Sequence, residues 1–250
     1  MIEGMSMIRS SGPPRVLIVV SSWTRLGNTG RATGFWLPEA AYPWWEASAA
    51  GYQVDIASIL GGRPQADGVD HSDPVQRLFL GSQDVRDALD GTPAVSEVDP
   101  ADYAAVFLAG GYAAMWDMPD NPALGALVAA VWTAGGVVNA VCHGPAGLLP
   151  ARRDDGTPLV RGLRVTGFSH DEERKASMIG VVPLLLPDAL TALGAHYESG
   201  RSYAPRVVVD SRVVTGQNPA SAPEAARITM QLVADAASHK KSYGPGLGAH

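Results

Sequence analysis

The sequence predicts a single α/β domain built on a mostly parallel sheet with helices on both faces. Three observations predict it. Short, continuous, β-branched runs such as VLIVV at Val16 to Val20 are what strands buried on both faces look like. These runs alternate with helical stretches, the pattern of a doubly covered parallel sheet. Gly and Pro are spread evenly along 250 residues, with no internal repeat and no linker, and that length fits one large domain.

The elements come in order along the chain. After Val16 to Val20 and a polar loop, Pro38 to Ala50 reads as a helix ended by Gly51, with Pro43 expected to bend or break it. Gln53 to Ser58 is a second strand. Gly61 to Pro100 is long and polar, holds one or two short helices near Asp73 to Leu89, and reads as an insertion. Tyr103 to Ala109 is a third strand, and Asn121 to Ala134 a helix closed by Gly135-Gly136. Val137 to Val141 is a fourth strand running directly into Cys142-His143-Gly144. A short strand near Leu163 to Thr166, a helix from about Asp171 to Ile179 and another over Pro187 to Leu193 come next. Arg206 to Val209 and Arg212 to Thr215 are strands around an Asp210-Ser211 turn. Ser221 and Glu224 form a capping box that opens a helix to about Ser238. The domain thus spans 15–238, with 1–14 and 239–250 expected as flexible tails.

Composition narrows the function classes. The net charge is −6 with both signs mixed along the chain, so nucleic acid and anionic membrane are not expected partners. No run approaches the ~18 apolar residues of a membrane span, and the N-terminus lacks the apolar core of a signal peptide. Cys142 is the only cysteine, which excludes an intrachain disulfide framework and a multi-cysteine metal site. A lone thiol suits the reducing cytoplasm.

The most informative segment is VVNAVCHGPAGLL. An apolar strand ends at a cysteine flanked by small residues two before (Ala140) and two after (Gly144), as a sharp strand-to-helix elbow requires. Such an elbow lifts a nucleophile to the carboxyl end of the sheet, and a helix N-terminus aimed at it lowers the thiol pKa. The plainer reading is a buried structural cysteine. Gly110-Gly111, directly after the third strand, lets a backbone N–H face the elbow. With the His143 N–H it could form an oxyanion hole, or it is simply a tight turn.

TGFWLPEAAYP (Thr33 to Pro43), LAGGYAAMWDMP, GGVVNAVCHGPAGLL, VTGFSHDEE (Val165 to Glu173) and VTGQNPAS (Val214 to Ser221) occur in this order. With them the chain resembles the ThiJ/PfpI superfamily, of the class I glutamine amidotransferase-like fold, in its heat-shock chaperone/glyoxalase III branch. The resemblance runs from about Arg15 to Ala237. It implies a flavodoxin-like α/β sandwich with 61–100 partly capping the site. It places the nucleophile on Cys142, the histidine on His143 and the triad acid on Glu173, with Glu172 a competitor in the same acidic run. It also puts a second acid, Glu39, against the sulfur. A carboxylate there would repel a thiolate, so Glu39 is expected protonated and donating.

Relatives in this branch usually carry Gly-Gly-His-Gly where this chain reads Gly110-Gly111-Tyr112-Ala113, a phenol in place of an imidazole. That departure implies weaker glyoxalase activity or a different substrate. Gly110, Tyr112 and Trp116 are expected to line the pocket, and Trp36, Tyr42, Trp44 and Trp45 to serve the core or a dimer contact.

The implied function is a cofactor-free and metal-free conversion of a small 2-oxoaldehyde to a 2-hydroxy acid by a homodimeric, glyoxalase III-like lyase. The alternatives are a hydrolase or another carbonyl, acyl or amide chemistry at the same site, or a stress chaperone or redox sensor. His196-Tyr197-Glu198 mimics an amidotransferase His/Glu pair but reads as a surface loop. His170 and Glu173 find no third metal ligand. Gly27 to Gly30 lacks the Lys-Ser/Thr of a phosphate loop. His71, His239 and His250 are expected to be exposed.

Overall fold

The computed structural model describes residues 14–242, with side chains through 238. β1 (Arg15–Val20) and β2 (Phe35–Trp36) lead into α1 (Pro38–Ala49). β3 (Gln53–Ser58) and β4 (Ala66–Asp67) precede α2 (Pro74–Gly81) and α3 (Gln83–Asp90). β5 (Tyr103–Leu108), α4 (Ala114–Asp117), α5 (Pro122–Thr133) and β6 (Val137–Val141) come next. The remainder is β7 (Arg164–Val165), α6 (His170–Lys175), α7 (Leu186–Ala192), β8 (His196–Tyr197), β9 (Val207–Asp210), β10 (Val213–Gly216) and α8 (Ala222–Ser242).

Period-two alternation splits each central strand between two cores. Val16, Ile18 and Val20 face one, with Phe107, Val137 and Val141 and residues of α1 and α8. Leu17 and Val19 face the other, with Val106, Leu108, Val138 and residues of α5. Both faces being apolar, the runs are continuous in sequence. The six-stranded sheet has the order β3-β1-β5-β6-β10-β9, parallel throughout except for the β9/β10 hairpin. The register Leu108↔Ala140 sets β5 and β6 side by side, so Gly110 and Cys142 emerge together at the carboxyl end of the sheet. That is where open α/β sheets hold their ligands. No helix among the described residues is long and apolar enough to cross a membrane.

Some local expectations change. α1 runs unbroken through Pro43, whose buried ring sits against the core and offsets the one hydrogen bond it removes. Ser221 does not cap α8: its Oγ accepts from Arg206 N (3.1 Å), and a 3₁₀ turn over Pro219–Ser221 runs straight into the helix. α8 extends to Ser242 rather than Ser238. α6 stops at Lys175 because Ser177 turns left-handed, φ +60°. β7 pairs with β8 in a separate two-stranded sheet.

Residues 61–100 lie beside α1 and the β3 edge. Phe79 meets Trp44 edge-on at 5.6 Å, Tyr42 donates to Asp73 (3.2 Å), and the Ser58 and Thr92 hydroxyls bond at 2.6 Å. β4 pairs with β2, and the Trp36 N–H of β2 donates to Gly110 O at 3.0 Å. The N-terminal tail up to residue 13, His250 and the side chain of His239 lie outside the described residues.

Candidate active site

Cys142 is where β6 stops. Its φ of +59° is left-handed, a conformation a non-glycine residue holds only under constraint. The constraint comes from both sides: its N–H donates to Gly216 O (2.9 Å), and its carbonyl accepts from Phe168 N (2.8 Å). Gly144 lets the chain leave, since a Cβ there would stand 2.1 Å from Leu108 O. The elbow is therefore present.

The elbow leads into a five-residue 3₁₀ turn, Gly144–Leu148, and not a long helix. That turn has little dipole to offer. Burial first, and the Glu39 charge second, push the Cys142 thiol well above its ordinary value; the Gly111 and His143 N–H groups pull the other way. The lowered pKa expected from the sequence is overturned, because desolvation outweighs those two donors. The same two N–H groups face the sulfur as the proposed oxyanion hole would require.

Glu39 lies buried in the first turn of α1. Its Oε2 accepts from Gly110 N at 2.7 Å, and its Oε1 has no hydrogen-bond partner. Burial pushes Glu39 up to about 8, against the pull of the Gly110 N–H and the Cys142 thiol. At neutral pH it is protonated, so the charge opposing a thiolate is off and a proton is available to sulfur. Gly110 serves this contact: a Cβ would come within 2.7 Å of both Glu39 Oε2 and His143 N.

His143 Nδ1 is 3.3 Å from Cys142 Sγ, and its Nε2 is 2.8 Å from Glu173 Oε1. A carboxylate only accepts, so Nε2 carries the proton and Nδ1 is the bare nitrogen facing the thiol. Tyr112 and Phe168 each lie 4.5 Å from the imidazole, centroid to centroid. Of the two competing acids, Glu173 therefore meets the histidine. Glu172 instead closes a capping box with Ser169 and accepts from Tyr203 N, Gln217 Nε2 and Asn218 Nδ2. Burial would raise Glu172, but these donors hold it below its ordinary value.

Trp116 stacks on Trp23 at 6.4 Å and packs on Leu26, Met178 and Val182. Asp117 beside it accepts from Ser21 Oγ and from the N–H groups of Ser22 and Trp23. His196 is exposed on β8, and Glu198 pairs with Arg206 and Arg164. His170 reaches Asp188 (3.0 Å), not a shared site with Glu173. A surface cavity of about 440 Å³ lined by Pro119, Leu149, Arg152 and Leu193 contains none of the site residues, so chemistry rather than volume marks the site.

Comparison with known proteins decides the family: the profile described as DJ-1/PfpI family matches residues 32–232. The chain belongs to the DJ-1/PfpI family. It is 31% identical to "Glyoxalase 3" of Candida albicans, over 85% of this chain and 95% of that one. It is likewise 31% identical to a "Glutathione-independent glyoxalase" of Saccharomyces cerevisiae, covering 84% and 94%. Among solved structures, glyoxalase III from Candida albicans superposes with a TM-score of 0.81 at 28% identity, over 87% of this chain and 96% of that one. The ThiJ/PfpI resemblance and the flavodoxin-like sandwich are borne out.

Phe168 and Tyr203 are the DJ-1/PfpI site neighbours that sequence reasoning missed. Phe168 sits in the VTGFSHDEE stretch, where an aromatic just before a helix cap was the available signal. Tyr203, left-handed at φ +61° and 6.4 Å from Phe168, had none.

Proposed function

We propose that this DJ-1/PfpI protein converts a small 2-oxoaldehyde, such as methylglyoxal, to the 2-hydroxy acid without a cofactor. The observation carrying the reading is the relay Cys142 Sγ–His143 Nδ1 (3.3 Å) and His143 Nε2–Glu173 Oε1 (2.8 Å) in a chain whose relatives are glyoxalases. Sγ adds to the aldehyde carbon as His143 Nδ1 takes the thiol proton, and the new oxyanion meets the Gly111 and His143 N–H groups before it is protonated. His143 then removes the proton from the former aldehyde carbon and returns one to the neighbouring carbon, passing through an enediol. The product of that shift is a thioester of the 2-hydroxy acid on Cys142. Water cleaves the thioester, releasing the acid and restoring the thiol. Net, water is added and nothing is split off, which places the reaction with hydro-lyases run in reverse rather than with hydrolases.

A thiol only 4% exposed suits a substrate of a few heavy atoms. The setting we propose is a cytoplasmic homodimer: a lone thiol fits a reducing compartment, and Trp45 on α1 is an exposed ring that a second copy would cover. Light scattering that gives a monomer would remove the dimer. The deciding assay incubates purified protein with methylglyoxal in the absence of glutathione and measures the 2-hydroxy acid. Turnover by wild type and none by Cys142→Ala is the expected result, and equal rates for both would sink the reading.

A further inference from the structure

Two buried polar atoms beside the relay are left without a formed hydrogen bond: the Tyr112 hydroxyl and Glu173 Oε2. The first belongs to the ring lying 4.5 Å from the His143 imidazole. The second belongs to the carboxylate whose other oxygen meets His143 Nε2 at 2.8 Å. Both border one imidazole. Burial first, and the Glu173 charge next, hold the phenol above its ordinary range. The hydroxyl is thus a donor throughout the working pH range. A buried donor and a buried acceptor so placed are costly unless they satisfy each other.

We propose that Tyr112 is a positioning residue: its O–H donates to Glu173 Oε2 and fixes the carboxylate, so that His143 keeps its proton on Nε2 and presents a bare Nδ1 to Cys142. The residue that departs from the branch's usual histidine thereby extends the relay by one member, Cys142–His143–Glu173–Tyr112. Only the kinetic part of its test rests on the glyoxalase reading.

The test is Tyr112→Phe, which keeps the ring and removes the donor, made alone and in a Glu173→Gln background. A carboxylate stripped of a donor pulls harder on the imidazole proton, so the variant's His143 should be harder to deprotonate. The acid limb of kcat/KM for methylglyoxal should move up by about one pH unit, a tenfold change in proton affinity. kcat should fall by up to about tenfold on the acid side of that limb and recover above it, with KM unchanged. A second readout needs no substrate: the ¹⁵N signals of the His143 imidazole should titrate about one unit higher in Tyr112→Phe. In Glu173→Gln, adding Tyr112→Phe should change neither readout, since coupled partners are not additive. In the protein with Tyr112 intact, the ¹³Cζ signal of Tyr112 should move when Glu173→Gln is made, which covers a Tyr112→Phe variant that fails to fold.

No turnover by wild type together with a shifted His143 titration would remove the glyoxalase reading and leave this inference standing. Brisk turnover with an unmoved titration and an unmoved acid limb would overturn the inference alone. Activity lowered evenly at every pH would overturn it too, because the ring would then only pack. An unmoved Tyr112 ¹³Cζ signal in Glu173→Gln has the same force.

Discussion

Glu39 and Glu173 are both buried against the same Cys–His pair, yet their surroundings give them opposite work. Glu173 faces an imidazole N–H and serves as acceptor. Glu39 receives one backbone N–H, is otherwise desolvated, and is pushed up to about 8. Below that pH it carries a proton toward sulfur; above it, it becomes a charge beside the developing thiolate. Activity should therefore fall on a basic limb near pH 8, and Glu39→Gln, which donates at any pH, should abolish that limb in a pH profile of kcat/KM. Glu39→Ala removes the donor as well and should cost about 1.5–3 kcal/mol of transition-state stabilisation, the range for a hydrogen bond to a charged group. If kcat/KM of Glu39→Ala matches wild type, Glu39 does not act on the sulfur.

At the scale of elements, the site depends on two short connections more than on any long helix. One is the elbow after β6, where Gly144 passes under the Leu108 carbonyl. A methyl group there has no room, 2.1 Å from backbone oxygen, and backbone cannot rotate aside. Gly144→Ala should cost at least about 1–3 kcal/mol, the range for overpacking, seen as a lower urea midpoint. The other is the start of α6. Ser169 caps it, Glu172 reaches back to the Ser169 N–H (2.9 Å), and the next residue is the relay acid. Ser169→Ala should lose about 1 kcal/mol as a lost N-cap and lower kcat, since Glu173 sits in the turn that is released. Unchanged thermal unfolding and kcat would show that the Glu172 network alone positions α6.

For the whole molecule, the buried acids set how stability varies with pH. Glu39 is raised from 4.5 to about 8, and Asp117 from 3.8 to about 6, burial being the leading cause for each. A raised carboxylate binds its proton more tightly folded than unfolded. Its stabilisation is full below the unfolded value and is lost as pH climbs through the folded one. For Glu39 the loss accumulates between 4.5 and about 8 and is on the order of 5 kcal/mol once complete. Glu172 runs the other way: held below 4.5, it contributes above that value and is lost on stronger acidification. Thermal midpoints should therefore be higher near pH 5 than near pH 8.5, and Glu39→Gln should flatten the slope. A midpoint rising steadily from pH 5 to 8.5 would contradict the placement of Glu39 as a desolvated acid.

Sequence by itself determined the sheet and the elbow at Cys142. A run buried on both faces must be apolar throughout, so Val16 to Val20 and Val137 to Val141 announce themselves, and small residues around Cys142 record where backbone passes backbone. Pro43 and Ser221 misled because local propensity gave way: a buried proline was held by packing, and a serine hydroxyl was taken by Arg206 N. The choice between Glu172 and Glu173 was half legible, since Ser169 to Glu172 reads as a capping box that commits Glu172 elsewhere. Glu39 entered through family resemblance alone, because nothing in PEAAYP shows that its carboxyl will be desolvated. Tertiary structure alone decided what meets His143: Phe168 and Tyr112 reach it from segments far apart in the chain, brought together by strand order. It also decided the direction in which the thiol titrates. Which atoms stand near a group can be guessed from motifs, but how much water is left around it depends on every element packed over it, and desolvation is the larger effect here.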